Sequence, residues 1–289
     1  MILSFHPCFI GDKNIICAGR EPDYKDINAI KKADAVILPQ GCKKSLYKAA
    51  KNNTSHIFPD YDAKFGYPGK IGQIKLFKKT KTKHPQTETF NKVKNFTDKF
   101  DHTFSKLPIH LPLVFKFDWG GEGDTVFLIN SVSELDSMLK KAVEYEKTGQ
   151  SGFMIQKFVP SLNKSLRVVV IGQKLISYWR ILNKDDLCST SIKHGAYIDH
   201  DADPDLQHAA CMAAKLFCKN TSINLAGFDF LFASKNIRDI PFFLEINYFF
   251  GRKGLGGSEN YYHILVKEIK KWLNNIGLKG RNEDEIKNK

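Results

Sequence analysis

The chain has 289 residues, of which 42% are hydrophobic and 12% aromatic, and its formal net charge is +13. This length suffices for one large domain or two to three small ones, and the composition excludes an intrinsically disordered chain. The positive charge favours anionic ligands such as nucleotides, acidic metabolites or nucleic acid, although no recognisable nucleic-acid module accompanies it.

The cysteines and the chain start indicate the cellular setting. The six cysteines form no CxxC pair, so we expect reduced and mostly buried thiols. No apolar run approaches the roughly 20 residues that cross a bilayer. The start, Met1–Gly11, is interpreted as a first strand and not as a signal peptide. The prediction is a cytoplasmic protein with no membrane partner.

Residues 1–66 are predicted to form a small open α/β layer, because short apolar strands alternate with helices. The predicted strands are Ile2–Phe5, Ala35–Leu38 and His56–Phe58, and the predicted helices are Lys25–Lys32 and Lys44–Lys51.

Residues 67–150 form a second section, in which a helix over Lys70–Lys79 comes first. Strands over Leu113–Phe117 and Thr125–Ile129 then flank a glycine-rich loop. Ser133 with Asp136 has the spacing of a capping box and predicts the start of a further helix.

Residues 151–277 form the third section, and residues 278–289 are a polar tail. A strand over Phe153–Val159 opens this section, and the Gly172-Gln173 turn predicts a hairpin of the two strands around it. Asp203 and Pro204 predict a helix start. The remaining predicted elements are the strands Ala226–Phe232 and Pro241–Phe249 and the helix Tyr261–Ile276.

Three polar residues interrupt the two late apolar strands: Asp229 in the first, and Glu245 and Asn247 in the second. Residues two apart in a strand point to the same side, so Glu245 and Asn247 are expected to point together, and Asp229 can join them from a neighbouring strand. Two carboxylates and an amide oxygen suit Mg²⁺. The alternative is that each polar group meets an arginine or a backbone donor in a structural contact.

Lys116 stands on the apolar strand Leu113–Phe117, where a charged side chain requires a partner or a ligand. The loop that follows is rich in glycine, so its backbone amides can fold over phosphate groups. It lacks the GxxxxGK[ST] pattern of a P-loop, and a plain hairpin turn is the alternative. Residues 153–160 can offer backbone groups and an apolar wall to an adenine ring, or can be a simple core strand.

The order of these features resembles the ATP-grasp superfamily over about residues 65–275. The order is a strand lysine, a glycine loop, a strand ending in proline, a strand arginine, a strand aspartate and Glu-x-Asn. The chain is most similar in texture to bacterial glutathione synthetase and to ligases that add glutamate to a ribosomal protein. The resemblance implies an ATP-grasp fold with an N-terminal pre-ATP-grasp domain (1–66), a central subdomain with the lid loop (67–150) and a C-terminal subdomain with the metal site (151–277).

The resemblance also implies roles for individual residues. The implied nucleotide-binding residues are Lys75, Lys116, Gly120, Gly121, Glu122, Gly123, Gln156, Lys157, Phe158 and Val159. The implied ligands of Mg²⁺ or Mn²⁺ are Asp229, Glu245 and Asn247, and the implied catalytic residues are Lys116, Arg167, Arg180 and His194. Arg252 is added as a catalytic candidate from the residues themselves, because it lies in the loop after Asn247 and can hold an acidic substrate. Arg252 alternatively is a solvated loop charge, and His194 is alternatively an ordinary loop histidine.

The chain departs from the family pattern at several positions. Phe117 replaces the usual proline after the strand lysine, and Lys157 stands where the hinge often carries glutamate. The run from Ser191 to Ala196 differs from the usual asparagine and paired glycines, and a longer loop follows Asn247. These differences make the relatives a poor guide to the substrate.

The implied activity is an ATP-dependent ligase that joins a carboxylate to an amine through an acyl phosphate and releases ADP and phosphate. The substrates are small-molecule or peptide carboxylates and amines, and the sequence does not choose among a free amino acid, a peptide and a protein terminus as the acceptor. Nor does it fix a homo-oligomer, although the relatives are often dimers or tetramers. Two alternatives stay open. One is a nucleotide-binding protein without turnover, and the other is a basic nucleic-acid-associated protein, whose binding would depend strongly on salt.

Overall fold

The computed structural model describes residues 1–100, 106–121, 123–161, 163–182, 196–233 and 240–279. Within these ranges the chain forms three β-sheets, and helices cover their faces. No helix in this part of the chain is both long enough and apolar enough to cross a membrane.

The first sheet is entirely parallel and has the strand order β2-β1-β3-β4. The elements of this layer are β1 (Ile2–Ser4), β2 (Lys13–Asn14), α1 (Tyr24–Lys31), β3 (Ala35–Ile37), α2 (Lys44–Asn53), β4 (Ile57–Phe58) and α3 (Asp62–Gly66). Because parallel strands end at one edge, the loops after β1 and β3 meet at that edge, which is where open α/β sheets bind ligands.

The second sheet is antiparallel and has the order β5-β8-β6-β7. Its elements are α4 (Gly69–Lys79), β5 (Thr87–Phe90), α5 (Val93–Lys99), β6 (Leu113–Phe117), β7 (Val126–Ile129), α6 (Val132–Lys147) and β8 (Phe153–Lys157). One face is buried by aromatic packing, in which Phe115 and Phe153 stack at 4.9 Å between ring centroids. The other face carries Lys116.

The third sheet has the order β11-β10-β9-β12-β13. Its elements are β9 (Lys164–Ile171), β10 (Lys174–Ile181), β11 (Tyr197–Asp199), α7 (Pro204–Thr221), β12 (Leu225–Leu231), β13 (Phe242–Asn247), a 3₁₀ turn (Lys253–Leu255) and α8 (Gly257–Asn275). Helix α7 packs on the apolar face, against Val168, Phe228 and their neighbours. Helix α8 covers only part of the opposite face, so polar side chains occupy the rest.

The predicted hairpin of β9 and β10 is confirmed, with Ile171 opposite Lys174. Strand β8, which the sequence analysis places in the third section, pairs with β5 and β6 and so belongs to the second sheet. Helix α6 begins with Ser131, not Ser133, as its N-cap, because the Ser131 side chain accepts the Glu134 N–H.

A substitution at Gly254 tests the packing that holds the loop between β13 and α8 in place. A Cβ at this glycine would lie 2.2 Å from the fully buried Tyr178 ring. We expect Gly254→Ala to lower the free energy of unfolding by about 1–3 kcal/mol through overpacking, as measured by denaturant titration. Gly251→Ala is the control, because nothing lies within 4 Å of its added Cβ. Equal stability of both variants would contradict this packing.

Candidate active site

A row of polar side chains crosses one face of the third sheet, beside the part that helix α8 covers. Arg167 on β9 is the register partner of Asp229 on β12, and Asp229 is the partner of Glu245 on β13. Asn247 follows two residues later on the same strand and therefore faces the same side. The sheet thus brings together the three oxygen-bearing residues that the sequence singled out, with an arginine beside them.

Asp229 is buried and held by cations. Arg167 donates to both of its oxygens, from Nε to Oδ1 at 2.5 Å and from Nη2 to Oδ2 at 2.8 Å, and Arg180 Nη2 lies 2.9 Å from Oδ1. Burial by itself raises the pKa of Asp229, but the two guanidinium groups outweigh burial, so the pKa is lowered. The structural ion pair that the sequence left open is therefore present at this carboxylate.

The two arginines respond differently to the same carboxylate. Burial lowers the pKa of Arg167, but Asp229 more than compensates and the pKa is raised. For Arg180, burial is again the largest effect and the pKa is lowered, with the neighbouring Arg167 charge acting in the same direction. Arg180 also donates to Ser165 Oγ at 2.8 Å, and its buried Nε has no hydrogen-bond partner in the part of the chain that the structure describes.

Glu245 and Asn247 differ from Asp229 in their surroundings. Glu245 is half-buried and makes no ion pair with any described residue. Asn247 donates its amide N–H to Asp229 Oδ2 at 3.1 Å, so its carbonyl oxygen points elsewhere. No cluster of three or more His, Cys, Asp or Glu side chains suited to a metal lies in the described ranges. The candidate cation ligands are therefore these two oxygen-bearing groups, with Asp229 next to them.

Lys116 lies on the polar face of the second sheet and is buried. It donates to Gln156 Oε1 at 2.8 Å, Gln156 Nε2 donates to Thr87 Oγ1 at 2.8 Å, and Thr87 donates to the Pro85 carbonyl. This series of hydrogen bonds orients the Lys116 side chain and fixes the Gln156 amide. The adjoining Lys157 is exposed, Phe158 is half-buried and Val159 is buried.

Lys70, which the sequence analysis did not select, reaches the glycine loop. Its Nζ donates to the carbonyls of Trp119 and Gly120 at 3.0 and 3.1 Å. Burial lowers its pKa, while the charge of Glu245 opposes that shift. Lys75, which the sequence predicts to bind the nucleotide, is exposed, and in the described part of the chain it contacts neither the glycine loop nor Glu245. The two lysines are five residues apart on α4 and thus about 140° apart around the helix.

Helix α4 fastens the glycine loop to the strand that carries Glu245. At its start, Ile71 N–H donates to Asp118 Oδ1 at 2.7 Å. Two residues later, the Gln73 amide both accepts from Ile246 N–H and donates to the Ile246 carbonyl, at 2.8 and 2.9 Å. Because β13 is an edge strand, this side chain supplies the backbone pairing that a further strand would give.

The glycine loop is shaped by positive backbone angles. Gly120 has φ +79°, and a Cβ there would lie 2.4 Å from the Thr125 side chain. Gly123 has φ +93°. The N–H groups of Gly120 and Gly121 have no acceptor among the described residues, so they are open to an anion. Glu122 and His194 lie outside the described residues.

Arg252 lies at the edge where the first sheet meets the third. Its guanidinium packs over the rings of Tyr261 and Tyr262, at 4.7 and 4.6 Å from their centroids. The Tyr262 ring also meets the edge of His6, which follows β1. Arg252 is therefore a fixed cation at the ligand edge of the first sheet, whereas its neighbour Lys253 is exposed.

A family model described as a RimK-like ATP-grasp domain matches residues 69–272. No curated protein sequence matches the chain.

Several solved structures are similar in fold. A RimK domain ATP-grasp protein from Sphaerobacter thermophilus has a TM-score of 0.58 at 13% identity, covering 82% of this chain and 81% of its own. A D-alanine–D-alanine ligase from Bacillus anthracis complexed with ATP has a TM-score of 0.61 at 15% identity, covering 91% and 85%. VanG D-Ala:D-Ser ligase from Enterococcus faecalis has a TM-score of 0.58 at 17% identity, covering 83% and 73%. The ATP-grasp fold predicted from the sequence is confirmed.

His6 provides a pH test of the edge near Arg252. Burial, followed by the charge of Arg252, lowers its pKa from 6.5 to about 4. Between pH 6.5 and pH 4, His6 binds a proton in the unfolded chain but not in the folded protein. Stability should therefore fall by up to about 3 kcal/mol as the pH drops from 6.5 to 4.

The variant His6→Asn keeps an acceptor for the Cys8 N–H, which bonds to His6 Nδ1 at 3.1 Å, but it cannot titrate. Its unfolding free energy should change less than that of the unaltered protein over this pH range. Parallel curves from denaturant titrations at several pH values would contradict the lowered pKa.

Proposed function

Since the chain belongs to the family of RimK-like ATP-grasp domains, we propose that it is an ATP- and Mg²⁺-dependent carboxylate–amine ligase. The proposed reaction forms an amide bond through an acyl phosphate and releases ADP and phosphate. The observation that carries the proposal is a pair of contacts made by helix α4. Its Lys70 donates to the glycine loop, and its Gln73 is hydrogen-bonded to the backbone of β13. That helix aligns phosphate-binding groups with the carboxylate that suits a cation.

Glu245 and the Asn247 carbonyl oxygen fit a hard divalent cation. The argument is the chemistry of the donors: a half-buried carboxylate without an ion pair in the described chain, and an amide oxygen two residues later on the same strand face. When bound, Mg²⁺ would offset the charge of the triphosphate. Asp229 belongs to the same set by position, but its oxygens are engaged by arginines in this arrangement.

The proposed nucleotide site lies between the second and third sheets. Lys116 and Lys70 supply positive charge for the phosphates, and the N–H groups of Gly120 and Gly121 supply donors. Residues 156–159 form the proposed adenine wall. Within it, the Gln156 side chain is already bonded to Lys116 and Thr87, so adenine is left with the backbone groups and the apolar side chains.

The chemistry needs no covalent bond to the enzyme. A substrate carboxylate oxygen attacks the γ-phosphorus, and the bond from that phosphorus to the β–γ bridging oxygen breaks, so ADP leaves. The amine then attacks the acyl carbon, loses a proton and expels phosphate. Lys116, Lys70 and the loop amides stabilise the charge that develops on the transferred group, and the sheets hold the reactants in line.

The substrates are proposed by class only. D-alanine–D-alanine ligase and D-Ala:D-Ser ligase, as their names state, act on amino acids. Arg252 is held rigidly by two tyrosine rings at the ligand edge of the first sheet, and it suits a carboxylate group of the acceptor. We therefore propose an acceptor that carries both an amine and a carboxylate.

An ADP-release screen tests the proposal. Amino acids and other carboxylates are offered in pairs with ATP and Mg²⁺, and ADP should form only when both partners are present. Tight ATP binding without ADP release from any pair would instead favour a nucleotide-binding protein without turnover.

Glu245 should be essential for turnover. Glu245→Gln removes a carboxylate charge without changing the shape of the side chain, and we expect Mg²⁺-dependent ADP release to fall by about a hundredfold or more. Glu259→Gln, on the exposed surface of α8, is the matched control. Full activity of Glu245→Gln would exclude this cation site.

Lys70 and Lys75 provide a second matched pair, because both lie on α4. Lys70→Met removes a charged donor beside the glycine loop, so the apparent KM for ATP should rise about ten- to a hundredfold. Lys75→Met removes an exposed charge and should leave the KM unchanged. The reverse result would return the nucleotide role to Lys75.

A further inference from the structure

The carboxylate of Asp229 is saturated with donors. Oδ1 accepts from Arg167 Nε at 2.5 Å and lies 2.9 Å from Arg180 Nη2. Oδ2 accepts from Arg167 Nη2 at 2.8 Å and from Asn247 Nδ2 at 3.1 Å. A carboxylate offers about four lone-pair directions. All four are used, so a cation cannot bind Asp229 unless one donor leaves.

The four contacts are not equally strong. Arg167 makes two parallel bonds, the geometry that gives the strongest pairing of guanidinium and carboxylate. Arg180 makes a single contact with Asp229 and shares the same nitrogen with Ser165. Arg180 is therefore the charged partner that costs least to remove.

Arg180 is also incompletely satisfied where it lies. The residue is more than nine-tenths buried, and its Nε finds no acceptor among the described residues. A buried donor without an acceptor is unfavourable, so an anion arriving near the guanidinium gains from binding it. Arg167 has no such vacancy at Nε, which donates to Asp229.

We propose that Arg180 and a divalent cation compete for Asp229, and that Arg180 moves to an anionic oxygen of the phosphate-bearing ligand when the cation binds. The exchange rests on the proposed function, because it requires a cation site at Glu245 and Asn247. It makes cation and nucleotide binding mutually dependent: without the nucleotide, Arg180 stays on Asp229 and opposes the cation.

The exchange has a counterintuitive consequence that can be measured without catalysis. Arg180→Met removes the competing guanidinium and leaves Asp229 paired with Arg167. The affinity of the nucleotide-free, full-length protein for Mn²⁺, measured from the electron paramagnetic resonance signal of free Mn²⁺, should rise about tenfold, within the usual range of coupling between binding events. The affinity for ATP in the presence of Mn²⁺ should fall.

A general gain from removing positive charge has to be separated from the exchange. In the Asp229→Asn background the competition is gone but Glu245 remains, so adding Arg180→Met should leave the Mn²⁺ affinity of Asp229→Asn unchanged. Lys253→Met also removes one positive charge, from an exposed side chain that is not among the partners of Asp229, and it should bind Mn²⁺ like the unaltered protein.

Two results would overturn the exchange: no gain in Arg180→Met, or a gain of the same size in the Asp229→Asn background. Thermal unfolding establishes that each variant is folded, and Arg180→Gln carries the same test if methionine is not tolerated. Glu245→Gln separates the two proposals. If Glu245→Gln still binds Mn²⁺, the proposed cation site is wrong. If Glu245→Gln loses Mn²⁺ binding but Arg180→Met shows no gain in affinity, only the exchange is wrong.

Discussion

The buried carboxylate of Asp229 is the constraint on which the rest of the site depends. A carboxylate in the interior is stable as an anion only if opposite charges surround it. The register of the third sheet meets this requirement, because it sets Arg167 directly across from Asp229 and brings Arg180 to the same carboxylate from one strand further. The same register sets Glu245 on the far side. The guanidinium groups of two arginines and the carboxylates of Asp229 and Glu245 therefore lie side by side on one face of the sheet.

Helix α4 determines how this face meets the second sheet. Asp118 binds the helix start, Lys70 holds two carbonyls of the glycine loop, and Gln73 pairs with the backbone of Ile246. One helix thus connects the glycine loop to the strand that carries Glu245. For the proposed ligase reaction, this connection would keep the phosphate groups and the cation in fixed relative positions.

The first sheet contributes in a different way. Its parallel strands direct the loops after β1 and β3 towards the start of α8, where His6 meets Tyr262 and Gln40 meets Tyr261. Arg252 is immobilised by these rings although no acid pairs with it in the described chain. A rigid cation that has no acidic partner loses little entropy when it binds a carboxylate.

The sequence by itself determined the strands, the hairpin, Lys116 and the pairing of Glu245 with Asn247, because strand periodicity and apolar runs are local properties. Tertiary structure decided what periodicity cannot express. It placed Lys70, and not Lys75, against the glycine loop, since only the packing of α4 fixes which face of the helix meets the loop. It assigned β8 to the second sheet and gave Asp229 two guanidinium partners. These choices depend on contacts between residues tens of positions apart, and no local pattern records them.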